Sequence, residues 1–349
     1  MELPHHTVTR ERLLALPKTD LHCHLDGSLR AETMIELARE YGKPLPSTDP
    51  DRLREHMVVR DARDLVDYLA RFETTLSVLQ TAEALERTAR ELAEDAAAEN
   101  VRYLEVRYSP VLNILEGLSM HDAVEASLRG LRHAERALDI RTGVIICALR
   151  NTTPATSVEL ARLALDFKHE GVVGFDLAGP EDEHPPRKHL EAFQLAADGN
   201  LPVTIHAGEA YGPASIHQAV HTCHANRIGH GTRLFEDPEL LAWVIDFRIP
   251  IEICITSNVQ TRVTPGFDEH PLRPYFDAGV LVAVSTDNRL ISGTTVTDEY
   301  EHAHRALGFD WPELCELARM GFRAAFMPYR EKEALLERVE AEIAALTEH

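Results

Sequence analysis

Three histidines, an aspartate and a glutamate stand in short motifs that can bring a metal ion and a proton-transfer group together. His22 and His24 lie one residue apart in His22-Cys23-His24-Leu25-Asp26-Gly27, and His206 and Glu209 share His206-Ala207-Gly208-Glu209. His230 lies in Ile228-Gly229-His230-Gly231 and Asp287 in Ser285-Thr286-Asp287-Asn288, with Asp176-Leu177-Ala178-Gly179 in the middle of the chain. Extended side chains repeat every two residues, so a strand ending at His24 would point both imidazoles the same way. His22, His24, His206 and Asp287 together make an N/O donor set that suits one zinc ion, with iron, cobalt or manganese compatible by donor type. A divalent ion there would activate water. Glu209, a carboxyl beside a cation, can be tuned to exchange protons near neutral pH. His230 is expected to orient or deprotonate that water, the competing role being a fourth nitrogen ligand.

Each motif follows a short apolar, β-branched run bounded by turn residues, the pattern of a strand. Eight such runs end near Leu21, Tyr108, Ala148, Phe175, Ile205, Gly229, Cys254 and Ser285, the first of them short and weak. Between them lie amphipathic segments such as 82–99, 120–137 and 157–169. Strand and helix alternating along the whole chain imply a parallel sheet, and eight units suggest closure into a (β/α)8 barrel. The C-terminal strand ends of such a barrel share one rim, where distant motifs meet. An open doubly wound sheet is the runner-up, but the Gly-rich dinucleotide turn is missing after the first strand. The interval from Gly27 to Asn100 far exceeds one crossover, so extra helices are expected after strand 1. In it Leu65, Tyr68, Leu69 and Phe72 form an apolar stripe at helical spacing, facing either the core or, as a lid, the barrel mouth. A second His-x-His, at His302 and His304, falls in a helical segment about 200° apart and reads as solvated surface. No linker or repeat divides the chain, so residues 1–349 are taken as one domain.

Composition narrows the partners. With 57 acidic against 36 basic residues the formal charge is −21, which disfavours nucleic acid and anionic membranes. No run of apolar residues approaches the length of a membrane span. Residues 1–12 lack the apolar core of a secretory signal, so a cytoplasmic location is expected. The five cysteines form no C-x-x-C pair and read as reduced core residues.

Taken together, HxHLDG, DLAG, HAGE, IGHG and the strand-eight Thr286-Asp287 resemble the adenosine deaminase family of amidohydrolase barrels, from about Pro17 to Arg323. The resemblance implies zinc on His22, His24, His206 and Asp287, protonation of purine N1 by Glu209 and steering of the attacking oxygen by His230. It also implies Asp26 on the ribose, the Gly179 N–H on purine N3, and Leu65, Tyr68, Leu69 and Phe72 around a small purine nucleoside. The implied activity is deamination of adenosine and deoxyadenosine. The family usually shows a second Asp at strand eight, where this chain has Asn288, whose amide can donate to purine N7. Ile255 replaces a usual Pro, and Asn113 stands where relatives often have His. Arg262 and Arg289 stand near the rim, where arginines more often pair with surrounding acids but could read an acidic group, so a 5′-modified adenine nucleoside such as aminodeoxyfutalosine is the runner-up substrate, with free adenine a further rival. Deaminases of single-stranded nucleic acid pair H-x-E with P-C-x-x-C, and no C-x-x-C occurs here. A silent nucleoside-binding metal protein would be signalled by loss of Glu209 or His230, and both are present. The sequence leaves the oligomeric state open.

Overall fold

A computed structural model describes residues 7–60 and 68–348. Its eight strands are β1 Lys18–His24, β2 Val101–Tyr108, β3 Arg141–Leu149, β4 Val172–Ala178, β5 Thr204–Ala207, β6 Arg227–His230, β7 Ile251–Ile253 and β8 Val282–Val284. All pair in parallel in chain order, β1 to β4 in one run and β5 to β8 in another. Two parallel bridges join the runs, Phe175 with Val203 and Cys23 with Asp287, and close the ring expected of a (β/α)8 barrel. The first strand is a full seven residues, not the weak run expected, because Lys18, Thr19, Asp20 and His22 are polar yet buried.

Helices cover the outside. Ala82–Ala98 and Met120–Ala137 each start at a hydroxyl that accepts from the first turn, Thr81 and Ser119, and each buries one apolar face. Gly130 lets the two cross closely, since a Cβ there would meet the carbonyl of Glu86. The expected extra helices after β1 are present as Ala31–Tyr41, Pro50–Met57 and Phe72–Leu76. Leu65 lies outside the described residues. The apolar stripe is not one continuous helix: a turn at residues 70–71 separates Tyr68 and Leu69 from Phe72. Among the described residues no helix is long and apolar enough to cross a membrane.

Charged side chains occupy the barrel interior below the rim. Glu105 and Arg107 alternate along β2 and so share its inner face. Arg227 of β6 donates through Nε to Glu252 of β7 (2.6 Å), pairs with Glu105, and lies over the Phe326 ring at 3.6 Å. Arg107 bridges Glu252 (2.9 Å) and Asp176 (3.4 Å). All five are fully buried. Removing one partner of such a group strands its counter-charges without water, at a cost of about 3–5 kcal/mol. Arg227→Met is therefore expected to lower the unfolding free energy by about that amount in urea titration; a loss under about 1 kcal/mol would show the ionic layer to be dispensable.

Candidate metal centre and substrate cavity

The β8–β1 seam does more than close the ring. The backbone N–H of Asp287 donates to the His22 carbonyl and the N–H of His24 donates to the Asp287 carbonyl, both at 2.7 Å. Three of the four expected ligands are thus fixed against one another by main-chain bonds. Asp287 and His230 both hold left-handed backbone, at φ 61° and 62°. That conformation costs an L-residue roughly 1–2 kcal/mol and turns each side chain inward. Gly229 clears the space beside them: a Cβ there would lie 3.1 Å from both the His22 ring and the His206 backbone.

The rings are oriented from behind. His22 Nδ1 lies 2.7 Å from Glu252, and His206 Nδ1 lies 3.0 Å from Asp176. Each carboxylate takes the Nδ1 proton and leaves Nε2 as a lone pair, the second contact typical of ligating histidines. Burial lowers His22 to about 4, helped by the nearby Arg107, and burial also holds His24 well below its usual value. His206 rises instead, because Asp176 outweighs its burial. For Asp287, the surrounding histidines overcome burial and keep the carboxyl far below the usual range.

What remains in front of the rings fits a cation. His24 Nε2 and His206 Nε2 are 3.2 Å apart, and Asp287 Oδ1 lies 3.4 Å from His24 Nε2 and 3.5 Å from His22 Nε2. His22 Nε2 is buried with no hydrogen-bond partner among the described residues. A tetrahedral zinc ion with bonds of about 2.1 Å requires ligand separations of roughly 3.4 Å. The second Asp287 oxygen accepts from Ser257 Oγ at 2.6 Å, which fixes its rotation. His230 also comes within 4.8 Å of the donor atoms of His22, His206 and Asp287, so proximity alone does not separate ligand from neighbour.

Glu209 and His230 face each other, with Glu209 Oε2 3.6 Å from His230 Nε2. Thr261 Oγ1 donates to Glu209 Oε1 at 3.1 Å, and burial raises the Glu209 carboxyl. The loop carrying Glu209 is clamped by Glu181, whose carboxylate accepts the backbone N–H groups of Gly208 (2.6 Å), Ala210 (2.6 Å) and Tyr211 (2.9 Å). Sequence reading missed Glu181, Glu252 and Ser257. Only the acid two residues beyond Gly179 carried a signal, since it stands in the loop of a quoted motif.

A cavity of about 390 Å³ opens over this centre. Asp26, Gly179, Asn288, Tyr68, Leu69 and Phe72 all line it, along with His24, Glu209 and His230. Burial lifts Asp26 to about 7, and its Oδ1 has no hydrogen-bond partner among the described residues. Asn288 Nδ2 donates to Tyr68 OH at 3.0 Å, and Tyr68 OH lies 2.7 Å from Ser292 Oγ. Gly27 is required here because a Cβ would occupy the Asn288 amide. Among the described residues no Lys or Arg lines the cavity. Arg289 is buried in an ion pair with Glu99, Arg262 is exposed, and Asn113 is spent on the Leu79 carbonyl. His302 and His304 are half-buried rather than fully solvated: one stacks on Phe267 at 4.0 Å and the other lies 2.7 Å from the Phe309 carbonyl. All five cysteines are free and buried.

The family model described as adenosine deaminase matches residues 17–342. A probable adenosine deaminase of Dictyostelium discoideum is 40% identical over 92% of this chain, which spans 42% of that protein's length. An adenosine deaminase of Clostridium acetobutylicum is 36% identical, covering 95% of this chain and 99% of its own. Among solved structures, an adenine deaminase of Arthrobacter aurescens superposes with a TM-score of 0.88 at 29% identity, covering 94% of this chain and 99% of its own. A zinc-bound amidohydrolase of Burkhoderia ambifaria gives a TM-score of 0.88 at 25% identity, covering 98% and 95%.

Zinc added to chelator-treated protein is expected to raise the melting temperature, by the equivalent of about 3 kcal/mol at roughly 100 times Kd. Asp287→Ala should abolish most of that rise. A melting temperature indifferent to zinc would remove the metal assignment.

Proposed function

The chain belongs to the adenosine deaminase family, and from that premise we propose that it hydrolyses adenosine and deoxyadenosine to inosine and deoxyinosine with release of ammonia. The observation that carries the reading is one cavity in which a cation-shaped donor set, a buried protonatable carboxyl and apolar walls converge, with no Lys or Arg among the described residues that line it. We assign one zinc ion to His22, His24, His206 and Asp287; once bound it supplies a Lewis acid that makes water nucleophilic near neutral pH.

The chain's own residues then have distinct tasks. Glu209 is buried, which favours its protonated form, and it delivers that proton to purine N1, making C6 more electrophilic. Water adds at C6, the C6–N bond breaks, and the amino group leaves as ammonia. His230, across from Glu209, contacts the attacking water. The Gly179 N–H is assigned to N3; Gly179 lines the cavity and holds a positive φ of 96°, which glycine adopts without strain. One N–H of the Asn288 amide is held by Tyr68, and the other is available to N7. Asp26 accepts from a ribose hydroxyl, and Tyr68, Leu69 and Phe72 enclose the base and exclude bulk water. Leu65 is assigned to the same enclosure on the resemblance alone.

Charge supports a simple nucleoside over an acidic 5′-substrate. Asp26, Glu73, Glu209 and Asp287 all line the cavity, and Arg289 is committed to Glu99. Among the described residues, a phosphate or carboxylate would meet these acids with no Lys or Arg side chain to offset them. Free adenine is the second reading, favoured by the Arthrobacter neighbour; it would leave Asp26 and the remaining cavity without a ligand group.

With zinc-loaded protein, adenosine and deoxyadenosine are expected to lose absorbance near the adenosine maximum, with kcat/KM roughly 100-fold above that for AMP. Adenine turnover with silence on adenosine would transfer the assignment to the base. Glu209→Gln should lower kcat by about 100-fold or more while inosine still binds; a rate within about tenfold of wild type would remove Glu209 from the proton-transfer role.

A further inference from the structure

Behind His230 runs a chain of three hydrogen bonds that substrate contact does not require. The backbone N–H of Leu272 donates to Nδ1 of His270 at 3.1 Å. A backbone amide only donates, so this ring nitrogen carries a lone pair. His270 is buried, which lowers it to about 3, so the ring is neutral and its one proton sits on Nε2. That nitrogen lies 3.2 Å from Oδ1 of Asn258. The Asn258 amide is then committed: its oxygen faces His270, and its Nδ2 faces Nδ1 of His230 at 3.0 Å. An amide orientation is ordinarily open to inversion, but here a main-chain donor at the far end fixes each link in turn. His230, Asn258 and His270 are all buried, so water does not offer a substitute partner.

We infer that His270 and Asn258 are positioning residues that hold His230 as the Nε2–H tautomer, so that His230 meets the attacking water as a hydrogen-bond donor. A ring nitrogen that receives an amide N–H bears no proton, so the His230 proton is on Nε2, the atom facing Glu209. A protonated nitrogen has no lone pair for a cation, which makes His230 a neighbour of the metal ligands rather than one of them. Donation at Nε2 leaves a water lone pair to point at C6. The catalytic consequence rests on the deaminase reading above; the proton's location does not.

The test reads the tautomer directly. Zinc-loaded protein labelled with 15N-histidine is examined by long-range 1H–15N spectra, with His230 assigned by its loss in His230→Asn. A bare Nδ1 and protonated Nε2 are expected, and a protonated Nδ1 overturns the inference. His270→Phe keeps an apolar ring but gives Asn258 no donor, so its amide is free to invert. His230 should then gain an Nδ1–H signal, with kcat falling about tenfold and KM changing less than about twofold. His270→Gln, whose amide can donate again, should restore both. An unchanged tautomer and kcat in His270→Phe would overturn the role of His270. Should that variant fail to fold, Asn258→Asp decides: a carboxylate facing Nδ1 should draw the His230 proton there, and its failure to do so overturns the relay. An Nε2–H signal in a protein silent on adenosine would support the relay and overturn the proposed substrate instead.

Discussion

The Glu252 carboxylate is the point on which the metal centre rests. Its Oε2 takes His22 Nδ1 at 2.7 Å and Arg107 at 2.9 Å, while its Oε1 takes Arg227 at 2.6 Å and Thr204 at 2.9 Å. Four donors saturate one buried carboxylate, and the neighbouring cations hold it well below its usual range despite the burial. Arg107 carries the constraint on to Asp176, which orients His206. Two of the three expected imidazole ligands are therefore aligned by one continuous ionic layer. A layer of this kind contributes little net stability compared with an apolar core. Its value lies in presenting Nε2 lone pairs at fixed spacing.

The ring closure supplies the other half of the geometry. The shortest route to a shared ion would be flexible side chains from separate loops, but here Asp287 and the His22–His24 pair exchange main-chain bonds across the seam. The left-handed backbone at Asp287 and His230 follows from leaving a strand sharply enough to aim inward. Strain of this sort persists only where the surroundings over-determine it, and here the backbone pairing, Ser257 and Asn258 do so.

Much of this was legible from the chain. The eight strand ends fell within a few residues of where apolar runs meet polar motifs, because a parallel barrel buries its strands on both faces and exposes their C-terminal turns. The residues of the HxH, HAGE, IGHG and TD motifs converge on one centre. The supporting residues were harder to read. Glu105 and Arg107 sit inside an apolar strand pattern, and the alternation alone cannot say that their partners are Arg227 and Glu252, over a hundred residues away. Partner choice depends on strand register, which only closure fixes. Arg289 shows the same limit: pairing with a surrounding acid was the expected role of a rim arginine, but nearness to a rim motif does not say that the acid is Glu99, which takes Arg289 out of the cavity. The stripe from Tyr68 to Phe72 had the right residues but the wrong local shape, since a turn and not helical period brings them to one surface.

Tyr68, Leu69 and Phe72 come from the segment between β1 and β2, whereas every expected metal ligand comes from a barrel strand or the turn directly after it. Tyr68 touches the strand-eight turn through its hydroxyl, at Asn288 and Ser292, and bears on no metal ligand by hydrogen bond. Ligand-binding walls and reacting groups thus sit on separately encoded parts of the chain. A change in the inserted segment can therefore reshape what fits the cavity while the ionic layer and the seam keep the reacting groups in place, so the two properties are physically separable in this barrel.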